Sequence, residues 1–296
     1  MKYQSGGAFR RALEERLLAN SKKSGTALIR LRKMVAFDRF LARLSHSFPN
    51  QWYLKGGYAL QLRLGSRART TVDVDILMVT QQNSLYDILI KATRTDLGDW
   101  FTFEIEQPDR NPLNDFGGLR VNISAYLDGR RFERFHLDIG VDDRIIGGFE
   151  TILNADYLSF ADIEPNAYEC YTIAQHFAEK LHAYTRVYNH GGSSRVKDLV
   201  DMFLIAEMEN IDSNSFVNAI KETFEHRATH PIPAQLPTPP RDWEKPFNKL
   251  AVDVGISLTQ NEAFEKLEEL INPILNETGN LLWSPKLWVW ETRNEG

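Results

Sequence analysis

The sequence predicts an α/β protein of the α+β type. A mixed sheet flanked by helices over residues 1–160 is followed by a helical part over residues 161–296. Two observations support this division. Several segments between 72 and 141 alternate apolar and polar residues with a period of two, as half-buried strands do. After Ala155, long segments instead carry apolar residues at helical spacing.

Two amphipathic helices are predicted first, over residues 8–20 and 25–47, because apolar residues recur every three or four positions. A short strand over 52–54 leads into the glycine pair Gly56-Gly57. A further helix is predicted over 84–93, with Ser84 as its N-cap.

The sheet is predicted from four alternating segments, which are TVDVDILMV at 71–79, FTFEIEQ at 101–107, LRVNISAYL at 119–127 and RFHLDIGV at 134–141. The last two are joined through Asp128-Gly129. Because Asp-Gly between alternating segments is a strong hairpin signal, these two strands are expected to pair antiparallel.

The C-terminal part is expected to contain helices over 169–188, 195–208, 214–226 and 261–275, the third of them capped by Asp212 or Ser213. The proline-rich stretch 230–247 is expected to lack regular structure. The single cysteine, Cys170, is expected at the start of a helix as a buried, inert thiol. The C-terminal tryptophans are expected to pack against the fold, with base stacking or partner contact as the alternative: Trp283, Trp288 and Trp290.

Composition excludes several classes of protein. A net charge of −5 argues against a protein that coats nucleic acid indiscriminately. No run of about 18 apolar residues predicts a membrane span, and the N-terminus lacks the apolar core of a signal peptide. A cytoplasmic protein with no membrane partner is therefore expected.

The chemistry is expected to centre on residues 54–78. Asp73 and Asp75 lie two apart on a predicted strand, so both carboxylates point to the same face and together favour a cation. Gly56-Gly57 precedes a short amphipathic segment, where free backbone N–H groups and the helix dipole suit a phosphate. The alternatives are an ordinary glycine turn and a solvated strand face.

The segment GGYALQLRLGSRARTTVDVDI resembles the signature of the AbiEii/AbiGii toxin group, which comprises MenT-like minimal nucleotidyltransferases of the DNA polymerase β-like superfamily. EKLHA at 179–183 and RVKDLVDMFL at 195–204 resemble the later motifs of the same group. The resemblance implies a polymerase β-like domain that binds an NTP. It also implies that Lys180 contacts the triphosphate and that either Asp198 or Asp201 is a late acidic catalytic residue. An interhelical salt bridge without chemistry is the alternative for these residues.

A polymerase β-like site needs a third carboxylate on a strand beside the Asp-x-Asp strand, and Asp138 is the candidate. The expected cofactor is therefore Mg²⁺ or Mn²⁺, bound by Asp73, Asp75 and Asp138. Asp142 and Asp143 follow as substitutes, and His136 is expected to be a neighbour on the strand face rather than a ligand. A water-exposed hairpin aspartate is the alternative for Asp138.

The resemblance implies a toxin of a type IV toxin–antitoxin pair, with a cognate antitoxin or regulator encoded nearby. Its expected activity is transfer of NMP from an NTP to an acceptor, foremost the 3′ end of tRNA, which blocks translation and growth. Arg67 and Arg69, in the arginine-rich loop, are expected nucleotide ligands beside Gly56 and Gly57. The superfamily turn is commonly Gly-Ser, so Gly57 supplies backbone only. The alternatives are an NTP-binding toxin without transfer and an aminoglycoside-type nucleotidyltransferase.

An RNA partner is also suggested by charge. Residues 20–70 hold eleven basic residues and one acid, a net charge of +10. Such a segment could follow a phosphate backbone, and the expected RNA-binding residues are Lys22, Lys23, Arg32 and Lys33. The alternative is a helix face whose charges are compensated by acids elsewhere in the fold.

Overall fold

The structure is a computed structural model that describes residues 1–79, 84–106, 118–141, 143–187, 195–276 and 279–293. Its internal contacts divide the chain into two compact units. Unit 1 consists of Met1–Arg63, Thr70–Asp143 and Glu150–Cys170. Unit 2 consists of Leu64–Arg69, Arg144–Phe149 and Tyr171–Gly296. Two short segments that precede Cys170 in the chain therefore belong to unit 2, and the domain boundary expected at residue 160 stays a prediction.

Unit 1 is built on a mixed sheet of seven strands, which confirms the predicted α/β class. The strands are β1 Trp52–Lys55, β2 Asp73–Met78, β3 Phe101–Ile105, β4 Leu119–Leu127, β5 Arg130–Gly140, β6 Phe149–Leu153 and β7 Ala167–Tyr171. Their spatial order is β3-β4-β5-β2-β1-β7-β6. β2 pairs parallel with β5 and antiparallel with β1, which places the predicted acidic strand in the middle of the sheet.

The helices of unit 1 are α1 Gly6–Ser24, α2 Leu28–Ser47, α3 Gly56–Leu64, whose last residue is counted in unit 2, and α4 Leu85–Arg94. The predicted cap of α4 is confirmed, since the Ser84 hydroxyl accepts a hydrogen bond from the Asp87 amide at 3.1 Å. α2 packs on the sheet through Phe37 and Phe40, whose rings lie 4.9 and 5.9 Å from that of Phe135. Burial of these aromatic rings is a large part of the driving force that holds α2 against β5.

The predicted hairpin joins β4 to β5. Asp128 and Gly129 have φ angles of 53° and 69°, the left-handed pair that a tight two-residue hairpin turn requires. Beyond the turn, Tyr126 pairs with Arg131 but Ala125 pairs with Glu133, so Phe132 is an extra residue on β5. This β-bulge shifts the register of every pair farther from the turn by one residue.

Unit 2 is mainly helical. Its elements are α5 Ile173–Thr185, α6 Val196–Met208, β8 Ile211–Asp212, α7 Ser213–Arg227, α8 Glu244–Val254, α9 Gln260–Asn276, β9 Leu281–Ser284 and β10 Val289–Thr292. Asp212 caps α7 by accepting from the Ser215 amide at 2.8 Å, as one of the two predicted caps. The predicted tryptophan packing is confirmed. The indole N–H groups of Trp283, Trp288 and Trp290 donate to carbonyls of Ala206, Lys266 and Leu270.

Two sequence predictions were wrong in detail. The helix expected from residue 169 begins at Ile173, because Thr172 caps it and the preceding residues form β7. The proline-rich stretch gives way to α8 already at Glu244. The sequence also did not predict the strands β6, β7, β8, β9 and β10. No described helix has the length and apolar character needed to cross a membrane.

Cys170 lies in β7, opposite Leu54 of β1, and is fully buried. Burial raises the pKa of its thiol to about 12. The thiol therefore stays protonated at neutral pH, which confirms a buried, inert cysteine although it lies on a strand rather than a helix.

Candidate active site

β2 carries the first two acidic residues of the site. Val74 and Ile76 are fully buried on one face of the strand, whereas Asp73 and Asp75 are partly exposed on the other. The alternation follows from the two-residue period of a strand. The two carboxylates therefore share a face, as the sequence predicted.

The sheet register extends this face into a row of charges. Asp75 pairs with Lys55 of β1 and with Asp138 of β5. Asp138 pairs in turn with Arg120 of β4. Register partners project to the same side of a sheet, so these four side chains form one line across four strands, which we call the charged row: Lys55, Asp75, Asp138 and Arg120.

Asp73 lies in the neighbouring row of the same face. Its register partner is His136, and the His136 Nδ1 atom lies 2.9 Å from the Asp73 Oδ1 atom. His136 pairs with Asn122 on β4. His136 therefore contacts one of the candidate metal ligands directly, which places it as the strand-face neighbour that the sequence predicted.

Arg120 grips Asp138 with both arms of its guanidinium group. Nε lies 2.6 Å from Oδ1, and Nη2 lies 2.5 Å from Oδ2. The pKa of Arg120 is raised above its ordinary value, chiefly by this hydrogen bonding, while burial acts in the opposite direction. The charges of Asp138, Asp73 and Asp75 add to the increase. All three candidate carboxylates therefore act electrostatically on one cation.

The glycine turn lies directly against the acids. Gly56 begins α3 with φ of 65°, a left-handed conformation that side chains disfavour. A Cβ atom at this position would lie 2.1 Å from Oδ2 of Asp75. Only glycine therefore lets the N-terminus of α3, whose first amides have no partner within the helix, approach the Asp75 carboxylate.

Unit 2 holds a second cluster of charges, in which the partly exposed Arg69 and Arg195 pair with buried aspartates, Arg195 with Asp198 at 3.1 Å. We call it the buried ion cluster: Arg69, Lys180, Arg195, Asp198 and Asp201. The Lys180 ammonium lies 2.6 Å from Asp201 and 3.8 Å from Asp198. Arg69 Nε donates to both oxygens of Asp201 at 3.0 Å. The pairing of Lys180 with the aspartates, which the sequence offered as the salt-bridge alternative, is present, and it leaves a role in nucleotide binding open.

Burial alone would raise the pKa of Asp201, but the charges of Lys180 and Arg69 and their hydrogen bonds outweigh it and lower the pKa. Asp201 is therefore ionised at neutral pH inside unit 2. A lysine held this way has a fixed direction, which is what a phosphate ligand needs.

The remaining predicted ligands lie in different surroundings. Arg67 forms an ion pair with Glu207 and donates to the Val254 carbonyl at 3.1 Å, apart from the aspartates of the cluster. Asp143 pairs with Lys55. Asp142 lies outside the described residues. The sequence offered no signal for Lys55 or Arg120, because both depend on strand register.

Much of the basic N-terminal segment is neutralised within unit 1. Arg39 and Arg43 are buried, with Arg43 paired to Asp99 at 2.5 Å. Arg32 pairs with Glu14 at 2.7 Å, and Lys33 donates to the Arg134 carbonyl at 2.6 Å. Lys22 and Lys23, at the end of α1, are exposed. The surface is therefore less basic than the charge count implies, because acids and carbonyls compensate part of it, as the alternative predicted.

The comparisons with known proteins agree with this geometry. Residues 39–276 match the family model described as the nucleotidyl transferase AbiEii toxin of a type IV toxin–antitoxin system. The chain belongs to this AbiEii family. It is therefore a toxin-type nucleotidyltransferase, and the family implies an NTP substrate and an antitoxin partner.

Solved structures show a similar fold. MenT4, a nucleotidyltransferase toxin from Mycobacterium tuberculosis, aligns with 90% of this chain and 97% of its own at 16% identity and a TM-score of 0.53. JHP933 from Helicobacter pylori aligns over 82% of this chain and 93% of its own, at 15% identity and a TM-score of 0.45. A putative nucleotidyltransferase from H. pylori aligns over 84% and 96%, at 16% identity and a TM-score of 0.44. No curated protein matches the AbiEii chain.

Nucleotidyltransferases of this family generally use a divalent metal. Among the described residues, no group of three or more Asp, Glu, His or Cys side chains is close enough together to hold a metal ion as the side chains stand. The donor set nevertheless suits Mg²⁺ or Mn²⁺, because three carboxylates share one face of two adjacent strands and oxygen is the donor these ions prefer. Arg120 and His136 hold two of these carboxylates, Asp138 and Asp73.

Proposed function

We propose that this AbiEii toxin transfers a nucleoside monophosphate from an NTP to the 3′ end of RNA. The proposed acceptor is the tRNA acceptor end, so that the modified tRNA no longer supports translation. The observation that carries the proposal is the alignment of Asp75 and Asp138 in the charged row, with Asp73 on the same face and the glycine N-terminus of α3 against Asp75.

In this proposal Asp73, Asp75 and Asp138 hold the divalent metal. When bound, the ion would neutralise charge on the phosphates and lower the pKa of the attacking hydroxyl. The backbone amides of Gly56 and Gly57 donate to phosphate oxygens, because the first amides of α3 have no partner within the helix. The missing hydroxyl at Gly57 leaves this contact entirely to the backbone.

The proposed reaction is a displacement at the α-phosphorus. The RNA 3′-oxygen forms a bond to the α-phosphorus while the bond to the bridging α–β oxygen breaks, and pyrophosphate leaves with the electron pair. The hydroxyl proton is accepted by a carboxylate of the acidic face. Holding the two oxygens in line with phosphorus is the main task of the chain.

Lys180 is proposed as a ligand of the triphosphate, with Arg69 contributing positive charge from the same cluster. Support comes from the family motif and from the hydrogen bond to Asp201, which fixes the direction of the ammonium group. Asp201 then acts by positioning Lys180. Asp198 remains the alternative late acid, and Arg67 is a proposed nucleotide ligand on the resemblance alone.

Lys22 and Lys23 are proposed to contact the RNA backbone, since both are exposed at the end of α1. Arg32 and Lys33 were expected to share this role. Both make internal contacts with acids and carbonyls, so any contribution to RNA binding would require them to leave those partners.

The test is to incubate the protein with each α-labelled NTP, Mg²⁺ and total RNA, and to size the labelled product on a denaturing gel. The proposal expects label at the length of tRNA, removable by a 3′-exonuclease, and none with Asp75→Ala. Label on a small molecule would replace it with the aminoglycoside-type reaction. NTP binding without any labelled product would favour a toxin that acts by binding.

A further inference from the structure

Arg120 is the residue of the charged row that contacts a proposed metal ligand and has no role in the proposed chemistry. Its guanidinium engages both oxygens of Asp138. The Arg120 side chain is 48% exposed, whereas that of Asp138 is 15% exposed. The arginine therefore covers the carboxylate from the solvent side, where an incoming ion would approach it.

The charges of the row also indicate that Arg120 opposes the approach of a cation to Asp138. The row contains two anions, Asp75 and Asp138, and two cations, Lys55 and Arg120. Lys55 also pairs with Asp143, so Arg120 is the cation that compensates Asp138 within the row. A divalent ion that binds Asp138 has to displace the guanidinium from at least one oxygen and overcome its positive charge.

We propose that Arg120 is a positioning residue that competes with the divalent metal for Asp138. It holds the carboxylate against the sheet face in the metal-free protein and releases it when the ion binds. This inference rests on the proposed function, because it takes Asp138 as a metal ligand. Its consequence is that metal binds weakly to the free protein and more tightly when Arg120 is removed.

The experiment measures Mn²⁺ affinity in the absence of nucleotide, by the loss of the free-ion EPR signal during titration. Arg120→Ala is expected to bind Mn²⁺ about three- to fivefold more tightly than the wild type, the upper end of the range for loss of a partly exposed ion pair. Arg120→Lys keeps the charge without the two-armed grip and is expected to fall between the two. Unchanged or weaker binding by Arg120→Ala overturns the proposal.

Arg134 provides the matched control. It lies on β5 four residues before Asp138, on the same face and roughly 13 Å away at about 3.3 Å per residue, and it pairs with Glu106 instead. Arg134→Ala removes the same charge at a distance beyond the screening length of about 8 Å at physiological salt. Its Mn²⁺ affinity is expected to stay within twofold of wild type. An equal gain in both variants would show a general charge effect and overturn the competition.

Asp138→Asn separates this inference from the proposed function. If Asp138→Asn leaves Mn²⁺ affinity unchanged, the metal assignment fails and the competition fails with it. If Asp138→Asn weakens binding while Arg120→Ala has no effect, only the competition fails. In the Asp138→Asn background, Arg120→Ala is expected to lose its gain, because the coupling runs through that carboxylate. A full gain in that background also overturns the competition.

Discussion

The contact between Gly56 and Asp75 gives the sharpest prediction. Gly56→Ala places a methyl group in a left-handed conformation, which costs about 1–2 kcal/mol for an L-residue. The same methyl group meets Oδ2 of Asp75 at 2.1 Å and its Cγ at 2.5 Å, so the carboxylate or the helix has to move. Such overpacking costs about 1–3 kcal/mol more. We expect a total destabilisation of roughly 2–5 kcal/mol and a displaced Asp75.

Gly98 isolates the conformational cost, which is the first of these two contributions. It has the same φ of 65°, but nothing lies within 4 Å of a Cβ atom built there. Gly98→Ala should therefore show only the conformational cost, about 1–2 kcal/mol, with transfer activity retained. Urea midpoints and NTP-transfer rates of the two variants measure the difference. Equal destabilisation by both variants, with Gly56→Ala still active, would refute the close approach of α3 to Asp75.

Four further predictions concern the acids and the basic residues. Asp75→Ala should reduce transfer at least a hundredfold without loss of circular dichroism, because a metal ligand stabilises transition-state charge by several kcal/mol. Asp201→Asn should lower the unfolding free energy at pH 7. The gap to wild type should close as pH falls through the lowered pKa of Asp201, since that contribution is fully present above the unfolded value near 3.8 and is lost below it as the carboxylate becomes protonated. Lys180→Ala should weaken NTP binding when binding is measured on folded protein only, and Lys180→Arg should restore part of the affinity. Lys22→Glu combined with Lys23→Glu should weaken RNA binding and reduce the slope of log binding constant against log salt concentration by about two.

Controls separate these results from loss of folding. Near-wild-type labelling by Asp75→Ala would contradict the metal role. A gap between Asp201→Asn and wild type that does not narrow as the pH falls below 3.8 would contradict ion pairing as its origin. For Lys180, a fall in thermal stability with unchanged NTP affinity would favour a structural lysine. The charge reversal has a matched control at Lys245 and Lys249, both exposed on α8, and equal RNA loss in both pairs would contradict a local contact.

The acidic strand shows what local pattern can predict. Alternation of Asp73, Val74 and Asp75 fixes which face each side chain takes, and that holds for any strand. The hairpin signal at Asp128-Gly129 likewise depends only on neighbouring residues. The placement of Asp138 opposite Asp75 is different, since it requires β5 to lie beside β2, and the family resemblance, not the period, suggested it.

Arg120 shows where local pattern ends. Counting pairs back from the turn without interruption would set Arg120 opposite Leu137, on the wrong face. The extra residue Phe132 shifts the register, and Arg120 falls opposite Asp138 instead. A bulge of this kind responds to packing on both strands. Arg39 and Arg43 are buried, but the sequence counted them as surface charge, because burial depends on tertiary contacts that local pattern does not contain.

The division of the chain also bears on its synthesis. Unit 1 uses no residue beyond Cys170, so a nascent chain of that length already contains all of it. Arg69 belongs to unit 2 and has its partner at Asp201. When the residues of unit 1 have all been synthesised, Arg69 is present but Lys180 and Asp201 have not yet been made. If transfer depends on the buried ion cluster, a toxin chain that is still being synthesised stays inactive until α6 has been made.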